Sequence, residues 1–491
     1  MSARRVFVRL AIASGMVLST LSFGQGSAGA SAAEGSWEAP QEMGIVAIHA
    51  VLLHNGKVLM MDRPSETQNS PVTLWDPGVP LGPGAFTDLS QVTGHKFFCA
   101  GHSQLPDGRI FISGGNSTGR GGVNKTAVFD PSDDSFTPGM NMARKRYYPT
   151  NVPLANGKTL IFSGWRDNDH KTPTVERYNP ANGNITRLPR SANKLLGLYP
   201  RMHLLPGGNI FWSGDEYADE EPMTAMFNPA TNRWRFVDDF NSNRRYDAPA
   251  VLMPSLDEII VPGGTRSRFQ KRANAMASVE MIDLGAADPQ WKTIAPLNIA
   301  RIHANAVLLP DEKIFVVGGG AQNLYDAPIH TPEMYDPATG MWTEMADHVG
   351  NRSHHSTSLL LPDGRVMLAG SDDGGPNETT LEVYSPPYLF KAGTRPVIDG
   401  GTTTTAGYGD PITINTGEAA TIDDVVLMRP GAVTHGNDME QRLLNLNVTA
   451  ETAGSLTAMA PANGNVAPPG YYMLFILDGG VPSEASWVLL S

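Results

Sequence analysis

Cys99, Tyr148, Tyr199, His303 and His355 each stand nine residues ahead of a short polar turn, at Gly108, Gly157, Gly208, Glu312 and Gly364. A thiol and a phenol beside imidazoles make a donor set for a redox metal, and imidazole suits copper. Cys99 is the only cysteine among 491 residues. Its plain reading is a buried small hydrophobe, as most free cysteines are. Tyr199 and His303 read more plainly as packing or substrate-wall residues than as ligands, and Tyr148 by itself as a core tyrosine. Cys99 and Tyr148 taken together are harder to set aside, because matched positions in neighbouring repeats come close in space.

The shared offset has meaning only if the turns belong to a repeat, and they do. An apolar strand, a tight polar turn and a second apolar strand recur as "AVLLHNGKVLMM", "SQLPDGRIFISGG", "VPLANGKTLIFSG", "HLLPGGNIFWSG", "VLMPSLDEIIVPGG", "VLLPDEKIFVVGGG" and "SLLLPDGRVMLAG". Asn-Gly and Asp-Gly between alternating apolar runs are strong hairpin signals. The turns fall at Gly56, Gly108, Gly157, Gly208, Asp257, Glu312 and Gly364, a period of about fifty residues. An outer strand with a Pro-containing turn follows each hairpin, as in "VFDPSDDSF" and "MYDPATGMW", so each unit supplies about four strands. The fold class is therefore all-β. A seven-bladed kelch-type β-propeller is predicted over 44–387, followed by an immunoglobulin-like (E-set) β-sandwich over 388–491. In such a ring the residues nine before each turn surround one mouth of the central channel.

The N terminus reads as a secretory leader over 1–32. Arg4, Arg5 and Arg9 precede an apolar run from Leu10 to Phe23 and then "GQGSAGASAAEG", with cleavage expected after Ala30 or Ala32. A secreted, extracellular protein with no membrane contact after cleavage is expected; retention by an uncleaved leader is the alternative. A formal net charge of −12 and a pI near 5.5 argue against nucleic acid and anionic membrane as partners. "DEYADEEP" at 215–222 reads as a solvated blade loop, with a calcium site as the sharper alternative.

The stretches "FFCAGHSQLPDGRIFISGG", "RYYPTNVPLANGKTLIFSG", "LYPRMHLLPGGNIF", "HHSTSLLLPDGRVMLAGS", "VTHGNDMEQRLLNL" and "PPGYYMLFILDGGVPSEAS" resemble the copper-radical oxidases, the family of galactose oxidase and glyoxal oxidase. The likeness is closer to the glyoxal oxidase branch. It implies one copper ion, and a Cys99–Tyr148 thioether-linked tyrosyl radical in which Tyr148, rather than the adjacent Tyr147, also ligates the metal. His355 and His435 are implied as the histidine ligands, His435 reaching back into the channel from the sandwich. Trp165 matches the indole that shields the radical, or is an ordinary blade tryptophan. The resemblance implies two-electron oxidation of a small aldehyde, alcohol or carbohydrate, with O2 reduced to hydrogen peroxide, by a monomer. One departure stands out: "RSHHST" places His354 where the family has its axial, proton-accepting tyrosine. A copper- or glycan-binding propeller without turnover, and an interaction scaffold with an inert Cys99, are the alternatives.

Overall fold

The computed structural model describes residues 32–491 apart from 65–68, 91–95, 117–120, 168, 217–223, 267–273, 323–326 and 373–376. The expected leader lies, save for its last residue, outside the described residues. Every regular element longer than a 3-10 turn is a strand, and the strands form seven blade sheets and a two-sheet sandwich. The blades' inner strands are His49–Leu52, Gly101–Gln104, Thr150–Pro153, Met202–Leu204, Val251–Leu252, Asn305–Leu308 and Thr357–Leu360. They are short and almost wholly buried, because both faces of every blade pack on a neighbour.

Each hairpin turns on a residue in the left-handed region, where glycine carries no Cβ penalty. Gly108 has φ 86°, and its N–H bonds the Leu105 carbonyl while the Leu105 N–H bonds the Arg109 carbonyl. That is the three-residue, bulged form of hairpin loop rather than a two-residue turn. In the fifth blade the left-handed residue is Leu256 (φ 64°), one position before the expected Asp257, and Glu312 takes the role in the sixth.

A buried arginine clamps four of the blades. Arg146, Arg245, Arg301 and Arg352 pair with Glu176, Glu280, Glu333 and Glu382, each at 2.8 Å and each essentially inaccessible to solvent. The carboxylates also accept backbone N–H groups from the loop entering the blade: Asn298 and Ile299 on Glu333, Val349 and Gly350 on Glu382. Arg301 and Arg352 further donate to the carbonyls of Gly318 and Gly370 at the end of the second strand. The clamp ties the loop before the channel to the third strand of its own blade.

The ring closes through the N terminus. Ser36–Trp37 pairs with Thr380–Ser385 as the outer strand of the last blade, and Gln41–Glu42 pairs with the same strand. The propeller thus takes in residues ahead of the expected start at 44. Beyond it, one sandwich sheet carries Thr405–Ala406, Ser486–Leu490, Gly470–Asp478, Asp424–Arg429 and Arg442–Asn445; the other carries Pro411–Asn415, Ser455–Met459 and Val448–Thr452. One hairpin leaves the sandwich and enters the propeller. Ala432–Thr434 pairs with Asn437–Asp438 on one side and with His49–Val51 of the first blade on the other. Just after it, Glu440 accepts the Gln104 N–H, Gln441 accepts the Leu308 N–H, and Arg442 donates to the Leu204 carbonyl. Three consecutive side chains therefore grip the second, sixth and fourth blades, and the segment plugs the channel.

Truncating Arg301 to Ala leaves Glu333 buried without its cation, a loss on the order of 3–5 kcal/mol for a broken internal pair. Equilibrium urea denaturation should show that loss; a midpoint equal to wild type would mean the clamp contributes nothing.

Candidate metal centre

In six blades the chain reaches the channel mouth through a non-glycine residue in the left-handed region: Cys99 (φ 53°), Tyr148 (67°), Tyr199 (41°), Asp247 (54°), His303 (57°) and His355 (64°). Such conformations cost of order 1–3 kcal/mol each and persist where the surroundings over-determine them. Here neighbouring blades supply the restraint. The Tyr148 N–H bonds the Cys99 carbonyl at 2.9 Å, the Tyr199 N–H the Tyr148 carbonyl at 3.0 Å, and the His303 N–H the Asp247 carbonyl at 2.9 Å. In the third, fifth and sixth blades the clamping arginine lies two residues before this position; in the last blade Arg352 lies three before His355. The extra residue is His354, and it lets two imidazoles reach the mouth where a regular strand would turn one away.

The side chains converge. One ligand atom each from Cys99, His355 and His435 lies within 4.8 Å of the others, and the same holds for Glu216, His354 and His435. His435 Nε2 is 3.5 Å from Cys99 Sγ. Ring centroids are 3.8 Å apart for His354 and His355, 4.4 Å for His355 and His435, and 5.0 Å for Tyr148 and His435. The Tyr147 and Tyr148 ring centroids are 4.3 Å apart, and both rings pack in the buried cluster of Cys99. Both tyrosines thus lie in the cluster of the thiol, but Tyr148 is the one whose ring also faces His435.

Neighbouring groups set the tautomers. The Thr434 hydroxyl donates to the Ile48 carbonyl, so it accepts from His435 Nδ1–H at 2.6 Å and leaves Nε2 bare. Asp372 accepts from His355 Nδ1–H and is itself held by Arg63 at 2.9 Å, which directs the Nε2 of His355 to the cluster. Carboxylate or hydroxyl partners on the far nitrogen are the usual support of a metal-binding histidine. Behind Cys99, its own N–H donates to His49 Nε2 at 3.0 Å, and His49 Nδ1–H in turn meets His102 Nε2 at 3.2 Å.

Burial governs the charges. It lowers the pKa of His435 well below the ordinary imidazole value, and His355, His354, His49 and His303 lower it further. Neutral imidazole is the form that binds a metal. Burial raises the Cys99 thiol and the Tyr148 phenol well above their usual values; the Tyr148 hydroxyl partly offsets this for Cys99, while Cys99, Tyr147 and Glu216 add to it for Tyr148. A bound cation would reverse the preference of both. Neutral imidazoles with bare Nε2 atoms beside a thiol and a phenol fit copper.

The structure therefore brings together Cys99, Tyr148, His354, His355 and His435. Tyr199 lies against Tyr148, but its hydroxyl donates to the Ala100 carbonyl at 2.9 Å, a packing role. His303 stacks edge-on to His354 at 4.7 Å and lies 3.8 Å from Asp247. Trp165 belongs to the same apolar cluster on the Tyr147 side, where the two backbones pair. The reading of 215–222 as a solvated loop fails at its start: Asp215 and Glu216 are buried, and Glu216 Oε1 is 3.3 Å from His354 Nε2. Residues 217–222 of that stretch lie outside the described residues. Glu216 and Asp372 share a signal that could have found them, an acidic residue just after the glycine that ends a blade's second strand.

Residues 86–388 match the family model described as glyoxal oxidase N-terminus, and 395–490 the galactose oxidase-like early set domain. A galactose oxidase of Gibberella zeae is 29% identical over 490 residues, spanning 92% of this chain and 70% of that protein. An aldehyde oxidase GLOX of Vitis pseudoreticulata is 29% identical over 435 residues, 80% of this chain and 82% of that one. The solved structure of a fungal alcohol oxidase in complex with copper superposes with a TM-score of 0.82 at 26% identity, covering 93% of this chain and 99% of the other.

His102 is wholly buried, and burial lowers its pKa to about 3. The unfolded chain, near 6.5, takes up a proton there that the folded state refuses, so stability falls as the pH drops from 6.5 towards 3. Replacing His102 by Gln should flatten the dependence of stability on pH between 4 and 6 by about 1.4 kcal/mol per unit, read from urea melts across that range. An unchanged slope would contradict the assignment.

Proposed function

The chain belongs to the glyoxal oxidase family, and from that premise we propose that it is an extracellular copper-radical oxidase acting through a Cys99–Tyr148 thioether. A copper-dependent oxidase activity goes with the family and its relatives. The finer reading is that a primary alcohol or hydrated aldehyde loses two electrons and two protons, and O2 takes them up as hydrogen peroxide. The observation that carries it is that Cys99 and Tyr148 lie in one apolar cluster, joined by the Tyr148 N–H on the Cys99 carbonyl, while ligand atoms of Cys99, His355 and His435 all lie within 4.8 Å of one another.

His355, His435 and Tyr148 would hold the metal, with His354 beside them. Copper, when bound, supplies a one-electron couple, and the cross-linked tyrosine supplies the second electron. Asp372 and Thr434 keep the two ligand rings in their binding tautomer. Phe98 packs edge-on against His355 with the Arg63 guanidinium over its other side, which narrows access to small substrates. His354 is placed to accept the substrate hydroxyl proton, and a positioned imidazole base contributes roughly 10²–10⁴-fold to rate. The leader-like N terminus supports secretion, and a small aldehyde, alcohol or carbohydrate is the substrate class. The change from the family's tyrosine to His354 favours a second reading, a copper- or glycan-binding propeller without turnover; release of peroxide separates the two.

Two experiments test the reading. Copper loading in air should remove the free thiol and the mass of the displaced hydrogens, and the Cys99 and Tyr148 peptides should travel together even under strong reduction. Separate, alkylatable Cys99 after that treatment would exclude the radical cofactor. For the base, His354→Ala should lower peroxide release by about 10²–10⁴-fold with copper still bound, whereas His354→Tyr should keep or raise it. Full activity in His354→Ala with none in His354→Tyr would put the base elsewhere.

A further inference from the structure

Glu216 enters the channel mouth from the fourth blade, following Ile210–Trp212 and the glycine at 214, and its N–H is fixed on the Leu198 carbonyl at 3.0 Å. The residue is 3% exposed. Only one carboxylate oxygen is accounted for: Oε1 meets His354 Nε2 at 3.3 Å, while Oε2 is buried with no hydrogen-bond partner among the described residues. A buried carboxylate left half-satisfied costs several kcal/mol unless a cation or donors compensate it. The nearby buried guanidinium of Arg201 does not supply the donors, since its nitrogens go to the carbonyls of Tyr199, Ala248 and His435. The other groups within reach are the metal-facing ones. A ligand atom of Glu216 lies within 4.8 Å of ligand atoms of both His354 and His435, and His435 is shared with the cluster of Cys99 and His355.

Charge points the same way. A divalent cation at this point would sit among the buried side chains of Cys99, His354, His355 and His435. Asp372 is neutralised by Arg63. Glu216, which faces the buried Arg201 guanidinium, is the carboxylate with a ligand atom within 4.8 Å of those of His354 and His435. Resting on the reading that the metal binds at this cluster, we propose that Glu216 is a metal ligand, so that Glu216, His354 and His435 hold a divalent cation without the Tyr148 phenolate. Two imidazoles and a carboxylate form a donor set for several divalent metals, not for copper alone. In this centre metal uptake precedes and does not require the thioether.

The test is anaerobic titration of the full-length protein with Co(II) and with Cu(II), followed by visible and electron paramagnetic resonance spectra and by metal analysis after dialysis. Wild type and Tyr148→Phe should each take up one ion per chain with closely similar Co(II) affinity. Glu216→Gln should bind Co(II) at least about 10–100-fold more weakly, with altered cobalt d–d bands. Glu216→Asp, which keeps the charge but withdraws it by one methylene, should lie between the two, and it serves the same comparison if the Gln variant does not fold by circular dichroism. Unchanged affinity and spectra in the folded Glu216 variants, with His435→Ala losing the metal, would overturn the ligand role and leave the oxidase reading standing. Loss of the metal in Tyr148→Phe would overturn it as well. Metal retained by His435→Ala would place the centre elsewhere and remove both.

Discussion

The channel mouth is organised by a backbone constraint: at six blades a residue that carries a side chain is held in the left-handed region, where that side chain is strained. At Tyr148, Tyr199 and His303 the bond that holds it runs between blades, from the N–H of the ring residue to the carbonyl of the previous one. The buried arginine two or three residues earlier fixes the loop from the other side. With both ends pinned, the ring residues have little freedom, and their side chains are delivered to one small volume. That is how a thiol from the second blade and a phenol from the third come into contact without any sequence proximity.

The sandwich supplies what the propeller lacks. Its hairpin extends the first blade's inner strand by three register pairs, and His435 follows at the hairpin tip with φ 53°. Glu440, Gln441 and Arg442 then fasten the same segment to three other blades. The ligand is thus not carried on a free loop. It is a ring position built from a second domain, and its tautomer is set by the adjacent Thr434. A preorganised imidazole loses little freedom when a metal binds, which is a condition for a precise donor set.

Burial has opposite effects on the two kinds of donor. It lowers the pKa of His435, which favours the neutral imidazole, and it raises those of the thiol and phenol. The field of a bound cation would lower the pKa values of Tyr148 and Cys99. Glu216 and His354, joined at 3.3 Å, stand together with His435 at the cluster. They give this centre a polar wall where the family resemblance implies a second phenol.

How much of this the sequence determined follows from distance along the chain. The fifty-residue period, the hairpin turns and the offset of nine are local or periodic, and they were enough to give the propeller, the sandwich and the common position of Cys99, Tyr148, Tyr199, His303 and His355. His435 was legible only through resemblance, because nothing periodic marks a sandwich residue. Tertiary structure alone decided the rest. The closing strand Ser36–Trp37 meets its partner more than three hundred residues away. The fifth blade's ring residue proved to be Asp247, since an irregular loop shifted its turn to Leu256. Glu216 looked like one acid in a solvated run, and its burial depends on His354 arriving from a blade three positions further on. Side-chain partners from different repeats are set by the closure of the ring, and a sequence carries no periodic trace of which residue will face which across a channel.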